Sequence, residues 1–131
     1  MIRYMLDTDT ASYLIRGDHP EVTAAFREKF RQTEISALTA AELRYGARKR
    51  NSRPLTQKVL AFCDLVPCVD WDGGAAECYA RLRTELEADG SIGAMDMLIA
   101  ASALAENAIL VTHNRAHFSR IRGLKIEDWV K

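Results

Sequence analysis

Three acidic residues and one amide are the strongest candidates for chemistry in this sequence: Asp7, Glu42, Asp96 and Asn114. Oxygen ligands of this kind are the ones that Mg²⁺ and Mn²⁺ prefer in proteins. Three carboxylates that meet at one place repel one another, and a divalent cation between them removes that repulsion. The residue types therefore predict a site for Mg²⁺, which Mn²⁺ can also occupy.

A metal site of this kind is suited to phosphodiester hydrolysis. Protein-bound Mg²⁺ usually keeps water molecules that can serve as the nucleophile, and the metal stabilises charge on a phosphoryl oxygen. Residues 43–63 and 107–125 carry basic side chains and no acid, whereas the charged side chains of residues 64–96 are mainly acidic. Two basic segments can follow a phosphate backbone, although solvated helix faces give the same pattern. Arg44, Arg48 and Arg115 are the candidate substrate-binding residues in these segments.

Asp96 is the hardest of the acids to explain structurally. It is the only charged residue between Asp89 and Glu106, and the apolar segment around it predicts a buried helix. A buried carboxylate without a partner or a metal is costly. Glu42 has a structural alternative, because Thr39 and Glu42 fit the T-x-x-E capping box of a helix start. Asp7 has one as well, since an aspartate can cap the helix that follows it.

The pattern of apolar residues alternates between strands and helices. It predicts strands at residues 2–6, 34–36, 65–69, 108–111 and 125–126. It predicts helices at residues 10–16, around 22–30, at 39–50, from Pro54 to Cys63, at 73–89 with Gly90 as the stop, and at 94–106. Strands joined by helices predict an α/β fold with a mostly parallel central sheet flanked by helices. Ligands bind at the carboxyl ends of such strands, where this order places all four candidate residues.

Length and composition predict one domain, spanning residues 1–131. The chain is 48% hydrophobic, which is typical of a folded core, and its net charge is zero. No apolar run approaches the roughly 20 residues of a membrane span. An acid at position 7, with no long apolar stretch, argues against a signal peptide. We therefore expect a cytoplasmic protein without membrane contact.

Four motifs, in order along the chain, resemble those of the PIN-domain VapC-type toxins. The first is Met5-Leu6-Asp7-Thr8-Asp9, and the second is formed by residues 40–46 around Glu42. The third is formed by residues 92–101 around Asp96, and the fourth by residues 111–114 with Phe118. Residues 126–129 resemble a common ending of the family, so the resemblance covers essentially the whole chain.

The resemblance implies a PIN-like nuclease domain and an endoribonuclease toxin that a VapB-type antitoxin neutralises. It also implies a homodimer and hydrolysis that leaves a 5′-phosphate and a 3′-hydroxyl. Asp7 and Asp96 would be the main metal ligands, Glu42 would bind metal or orient water, and Asn114 would complete the site. The pattern is most similar to members that cut tRNA in the anticodon loop, initiator tRNA among them. The sequence departs from the family at two positions: Asp9 stands where members often have Asn, and Asn114 stands where many members have Asp.

Two other classes of protein remain open. Asp7-Thr8-Asp9-Thr10 also fits the D-x-D-x-T motif of haloacid-dehalogenase-type phosphatases, in which Asp7 would be the nucleophile and Asp9 the general acid/base. A non-catalytic binding module, whose acids only cap helices, leaves Asp96 unexplained. His113 and His117 stand four residues apart but lack a convincing third ligand, so they do not define a zinc site.

Overall fold

A single parallel sheet organises the protein. The computed structural model describes residues 1–87 and 92–131, and in these residues five strands pair in the order β3-β2-β1-β4-β5. Every pairing is parallel, which confirms the predicted α/β class. The strands are β1 (Tyr4–Leu6), β2 (Thr33–Ser36), β3 (Cys68–Val69), β4 (Ile109–Val111) and β5 (Lys125–Glu127).

Helices connect these strands. They are α1 (Thr8–Arg16), α2 (Pro20–Glu28), α3 (Ala37–Arg50), α4 (Arg53–Leu65), α5 (Gly73–Leu86), α6 (Ala94–Ala105) and α7 (Arg115–Phe118), with a 3-10 turn at Phe30–Gln32. As the sequence predicts, α1 ends at Gly17, whose φ of 73° is a left-handed conformation that glycine adopts easily. The predicted stop at Gly90 lies outside the described residues.

Apolar side chains cover both faces of the sheet. Leu6, Ile35 and Val111 pack in one core with α1 to α4, whereas Met5 and Leu110 pack in a second core with α5 and α6. Neighbouring residues of a strand point to opposite faces, so a strand buried on both sides is apolar throughout. No helix within residues 1–87 and 92–131 has the length and apolar character needed to cross a membrane.

The strand ends are aligned at one edge. Leu6 pairs with Ile35 on one side and with Val111 on the other. The next residues, Asp7, Ser36 and Thr112, are therefore neighbours at the carboxyl edge. Because β1 lies between β2 and β4, Asp7 occupies the centre of this edge.

Several predicted element boundaries are displaced by two or more residues, and for α3 and β3 the physical reason is clear. Helix α3 begins at Ala37, because the side chain of Ser36 caps it by accepting a hydrogen bond from the Leu38 backbone nitrogen at 3.1 Å. The third strand was predicted from residue 65, but α4 continues to Leu65 and β3 begins only at Cys68. Pro67 has no N–H to donate to the sheet, although its carbonyl oxygen accepts a hydrogen bond from Ile35.

Candidate active site

Asp7 is held firmly at the centre of the carboxyl edge. It is the N-cap of α1, and its Oδ1 accepts a hydrogen bond from the Thr10 backbone nitrogen at 2.8 Å. Its own backbone nitrogen donates to the carbonyl oxygen of Val111 at 3.0 Å. The capping role that the sequence left open is thus confirmed. It is compatible with a second role, because a carboxylate has further lone pairs to offer.

Burial makes the charge of Asp7 costly. The residue is 6% exposed, and this desolvation raises the pKa of its carboxyl group above the ordinary value of 3.8. Hydrogen bonding from Thr112 and Thr10 lowers this pKa, whereas the negative charge of Asp9 raises it. Asp7 forms no ion pair with another residue of the described chain. A cation at this position would therefore stabilise the ionised form.

Glu42 is joined to the Asp7 region through Thr8. The Thr8 hydroxyl donates a hydrogen bond to Oε1 of Glu42, and the same Thr8 oxygen lies 3.4 Å from the hydroxyl oxygen of Thr39. The predicted capping box is wrong, because Ser36 is the N-cap and Glu42 therefore lies in the second turn of α3. Glu42 is left without a role at the helix start, and its side chain faces α1 instead.

Asp96 lies in the first turn of α6, as the sequence predicts, but it is not buried. Its side chain is 42% exposed, because α6 begins at the surface and becomes buried only from Ile99 onwards. Its pKa is still raised by partial desolvation, and nearby Asp9 raises it further, whereas His117 lowers it. Nε2 of His117 lies 3.3 Å from Oδ2 of Asp96, an ion-pair distance without hydrogen-bond geometry.

Asp9 connects the two aspartates electrostatically. Its negative charge raises the pKa of both Asp7 and Asp96, so it lies near both carboxylates. Asp7 and Asp96 are 89 positions apart in the sequence, and the effect of Asp9 on both indicates that the first turn of α6 lies near the edge that carries Asp7. The contact between Asp96 and His117 supports this placement, since His117 lies just beyond β4.

Asn114 lies just beyond the carboxyl end of β4, as predicted. Its backbone nitrogen donates to Oγ1 of Thr112 at 3.0 Å, which fixes the turn into α7. Its side chain is exposed and makes no hydrogen bond to the described residues, so its amide is free to meet a ligand. The next residue, Arg115, is also exposed at this edge.

Arg44 and Arg48 lie elsewhere. Successive helix residues are about 100° apart, so these arginines are turned roughly 200° and 240° around the α3 axis from Glu42. They line a cleft between α3 and α4 instead of the edge that carries the acids. The structure therefore does not place them beside the carboxylates.

The donor set fits a hard divalent cation. Asp7, Asp96, Glu42 and Asn114 offer oxygen atoms, and the two aspartates with raised pKa values carry charge that a cation would stabilise. In residues 1–87 and 92–131, however, no three His, Cys, Asp or Glu side chains stand close enough to hold one ion together. The expected three-carboxylate cluster is thus not formed in this arrangement, in which Glu42 contacts Thr8.

Three residues with contacts in the site were given no role by the sequence. Thr8 bonds to Glu42, Thr112 supports both Asp7 and Asn114, and His117 contacts Asp96. Thr8 and Thr112 belong to the quoted motifs, which was the available signal. For His117 the sequence favours a phosphate contact or simple surface placement over zinc ligation with His113, because nothing local indicates that it faces α6.

Comparison with known proteins defines the class. A family model described as PIN domain matches residues 4–124, and the chain belongs to this family. Its relatives include "Ribonuclease VapC2" of Rickettsia felis, 39% identical over 98% of both chains. Another is "tRNA(fMet)-specific endonuclease VapC" of Shigella flexneri, 33% identical over 98% of this chain and 99% of that one. The resemblance to VapC-type proteins is confirmed.

Solved structures agree with this assignment. The chain superposes on VapBC2 from Rickettsia felis, bound to a DNA fragment from the promoter, with a TM-score of 0.88 and 37% identity. That match covers 98% of this chain and 99% of the other. DNA-bound VapBC from Salmonella typhimurium gives the same TM-score at 33% identity, with the same coverage.

Proposed function

We propose that this chain is the toxin of a toxin–antitoxin pair and acts as a metal-dependent endoribonuclease. The observation that carries the proposal is Asp7, a buried carboxylate without a basic partner in the described chain, at the centre of the carboxyl edge. Asp96 and Glu42 reach the same edge from α6 and α3. The names of the VapC relatives support RNA as the substrate class.

Each residue has a distinct proposed role. Asp7 and Asp96 bind Mg²⁺, for which Mn²⁺ can substitute, and Asn114 adds an uncharged amide. When bound, the metal supplies charge for the phosphoryl oxygens and lowers the pKa of a bound water. Thr10 and Thr112 hold the Asp7 carboxylate in place, and Thr8 orients Glu42 so that its free oxygen can position a water. Hydrolysis leaves a 5′-phosphate and a 3′-hydroxyl.

We propose tRNA, cut in the anticodon loop, as the substrate, with initiator tRNA as the first to test. Support comes from two relatives named as tRNA(fMet)-specific endonucleases. Arg115, exposed next to Asn114, is the proposed phosphate contact nearest the acids. Such a substrate places the protein in the cytoplasm.

A VapB-type antitoxin is the proposed partner, because the similar solved structures are VapBC complexes. We expect it to place a basic side chain against Asp7 and Asp96, supplying the positive charge that Asp7 lacks in the described chain. A homodimer is proposed on the family resemblance.

The decisive experiment is incubation of the purified protein with total tRNA in Mg²⁺, in Mn²⁺ and in EDTA, followed by mapping of the new RNA ends. Cleavage only with metal, at one position and with 5′-phosphate ends, supports the proposal. Asp96→Asn is the matched control, because it removes one charge at a partly exposed position and leaves the side-chain volume nearly unchanged. Equal cleavage by this variant would show that the cleavage does not depend on Asp96, which would contradict the proposed site.

The phosphatase alternative gains nothing from the comparisons, which match a PIN domain along residues 4–124. It remains testable through Asp9, which that mechanism requires as the general acid/base.

A further inference from the structure

A basic cleft lies where α3 and α4 meet. It encloses about 560 Å³, and the arginines Arg44, Arg48 and Arg53 line it together with the polar residues Asn51, Thr56 and Gln57. Its bend is set by Asn51, whose φ of 50° ends α3 in a left-handed conformation, so that α4 begins two residues later. The cleft is thus built by a helical hairpin, not by mobile termini.

The positive charge in this cleft is not neutralised. No acidic residue lines it, and none occurs in the sequence from Leu43 to Cys63. Within the described residues, Arg44, Arg48 and Arg53 form no ion pair. By contrast, Arg3, Arg16, Arg81 and Arg122 each contact a carboxylate. Three unpaired guanidinium groups in one concave surface are suited to bind phosphate oxygens.

The start of α4 adds to this field. Ser52 caps the helix by accepting a hydrogen bond from the Leu55 backbone nitrogen at 3.2 Å, and Pro54 has no N–H. Because α4 begins at Arg53, which lines the cleft, the positive end of the α4 dipole lies beside the arginines. The side-chain amide of Gln57 lies in the same wall and can donate a hydrogen bond to an anion, whereas the Thr56 hydroxyl already donates to the carbonyl oxygen of Ser52 at 2.8 Å.

The cleft cannot hold the phosphodiester that is cleaved. Arg44 and Arg48 point away from Glu42 around α3, and the helix continues for about 14 Å from Glu42 to Asn51. An RNA that meets both places must extend well beyond the cleaved bond. A short oligonucleotide lying against Asp7 would leave the cleft empty.

We infer that this cleft binds the phosphate backbone of the RNA substrate at a point remote from the cleaved bond, and so favours long or folded RNA over short fragments. The inference rests on the proposed ribonuclease function. Contacts between guanidinium groups and phosphate oxygens carry no information on base identity. The contribution of the cleft to RNA affinity should therefore be independent of RNA sequence and strongly dependent on salt.

The test measures RNA binding without cleavage. All proteins carry Asp7→Asn and are kept in EDTA, and the probes are total tRNA and a dinucleotide with a single phosphodiester. The cleft variant is Arg44→Gln/Arg48→Gln/Arg53→Gln. The matched control is Arg27→Gln/Arg31→Gln/Lys125→Gln, which removes three exposed charges near the amino ends of the strands. Circular dichroism confirms that each variant is folded.

We expect the cleft variant to bind tRNA at least tenfold more weakly, and the slope of log K against log salt to fall by about 2, since each phosphate contact contributes about 0.7–0.9. The control should keep the parent affinity and slope. The preference for tRNA over the dinucleotide should shrink in the cleft variant alone. Parent-like tRNA binding by that variant, or an equal loss in the control, would overturn the inference.

The outcome is separable from that of the proposed function. If the native chain cleaves no RNA while the cleft variant still loses tRNA binding, the nuclease proposal fails and the cleft remains a backbone-binding site. If cleavage is confirmed and the variant binds tRNA normally, only the cleft inference is wrong.

Discussion

The hydroxyl of Thr8 donates a hydrogen bond to Oε1 of Glu42, joining the first residue of α1 to the second turn of α3. This contact leaves one carboxylate oxygen of Glu42 free and fixes the direction of the side chain. It also connects the residue after Asp7 to an acid 34 positions further along the chain.

Removal of that hydroxyl should impair turnover. Thr8→Val keeps the shape of the side chain but leaves Glu42 without its donor, and we expect kcat on tRNA to fall about tenfold, a typical cost of losing one orienting contact of about 1.4 kcal/mol. Thr8→Ser should restore most of it. Single-turnover cleavage at saturating Mn²⁺ measures the effect. Equal rates for the valine and serine variants would mean that Thr8 does not orient Glu42.

Loss of either aspartate charge should abolish cleavage. Asp7→Asn and Asp96→Asn each remove a proposed metal ligand, and we expect rates to fall by several orders of magnitude with the fold intact. The Asn side chain at position 7 can still accept the hydrogen bond from Thr10, so α1 keeps its cap. Near-native activity of Asp96→Asn would show that the proposed site is wrong.

Asp7→Asn should stabilise the metal-free protein at neutral pH. Burial raises the pKa of Asp7 above 3.8, so the folded protein binds its proton more tightly than the unfolded chain does. Proton binding by Asp7 therefore adds to the free energy of unfolding below pH 3.8, and this contribution is lost as the pH rises through the pKa of Asp7 in the folded protein. We therefore expect a Tm gain of roughly 2–6 °C at pH 7 that shrinks towards pH 4.

The control for this gain is Asp18→Asn. The pKa of Asp18 is lowered by His19 and Arg16, so removal of its charge should not raise the Tm.

Saturating Mn²⁺ should raise the Tm of the native chain and leave that of Asp7→Asn nearly unchanged, because binding stabilises only a folded state that holds the ion. A native Tm indifferent to millimolar Mn²⁺ would contradict the metal site.

Asp9→Asn separates the two enzyme classes. In the proposed nuclease, Asp9 does not bind the metal, and the variant should keep most of its RNA cleavage activity. In a D-x-D-x-T phosphatase, loss of the general acid typically costs about 10²–10⁴-fold, and beryllofluoride should trap the protein at Asp7. RNA cleavage by Asp9→Asn and Asp7→Asn is compared at fixed Mg²⁺. Loss of RNA cleavage in both variants, together with inhibition of the native protein by beryllofluoride, would favour the phosphatase.

Expression of the chain alone should stop bacterial growth, because unrestrained cleavage of tRNA blocks translation. Co-expression of its antitoxin should restore growth, and Asp7→Asn should be harmless at the same protein level. Growth curves with quantified soluble protein provide the measurement. Normal growth despite abundant native protein would count against the toxin function.

Much of the fold could be predicted locally. Short apolar runs and helical periodicity identify β1, β4 and α6 because each element is buried along nearly its whole length or on one face. Strand boundaries were less accurate, since β3 is shortened by Pro67 and by the continuation of α4 to Leu65. For α3, both Ser36 and Thr39 are good caps by residue type, so the local sequence cannot decide between them.

The sequence alone indicated the acids that we propose for chemistry, and it predicted the edge of the sheet at which they lie, because strand and helix order dictates direction. Only the tertiary structure decided that Ser36 caps α3, that Glu42 turns towards Thr8, and that Asp96 is partly exposed beside His117. These outcomes depend on how β2 aligns with β1 and on how α6 packs against the sheet. The contacts of Glu42 and Asp96 join residues far apart in the chain, and no local pattern encodes them, whereas the Ser36 cap is a local contact that the alignment of β2 selects over Thr39.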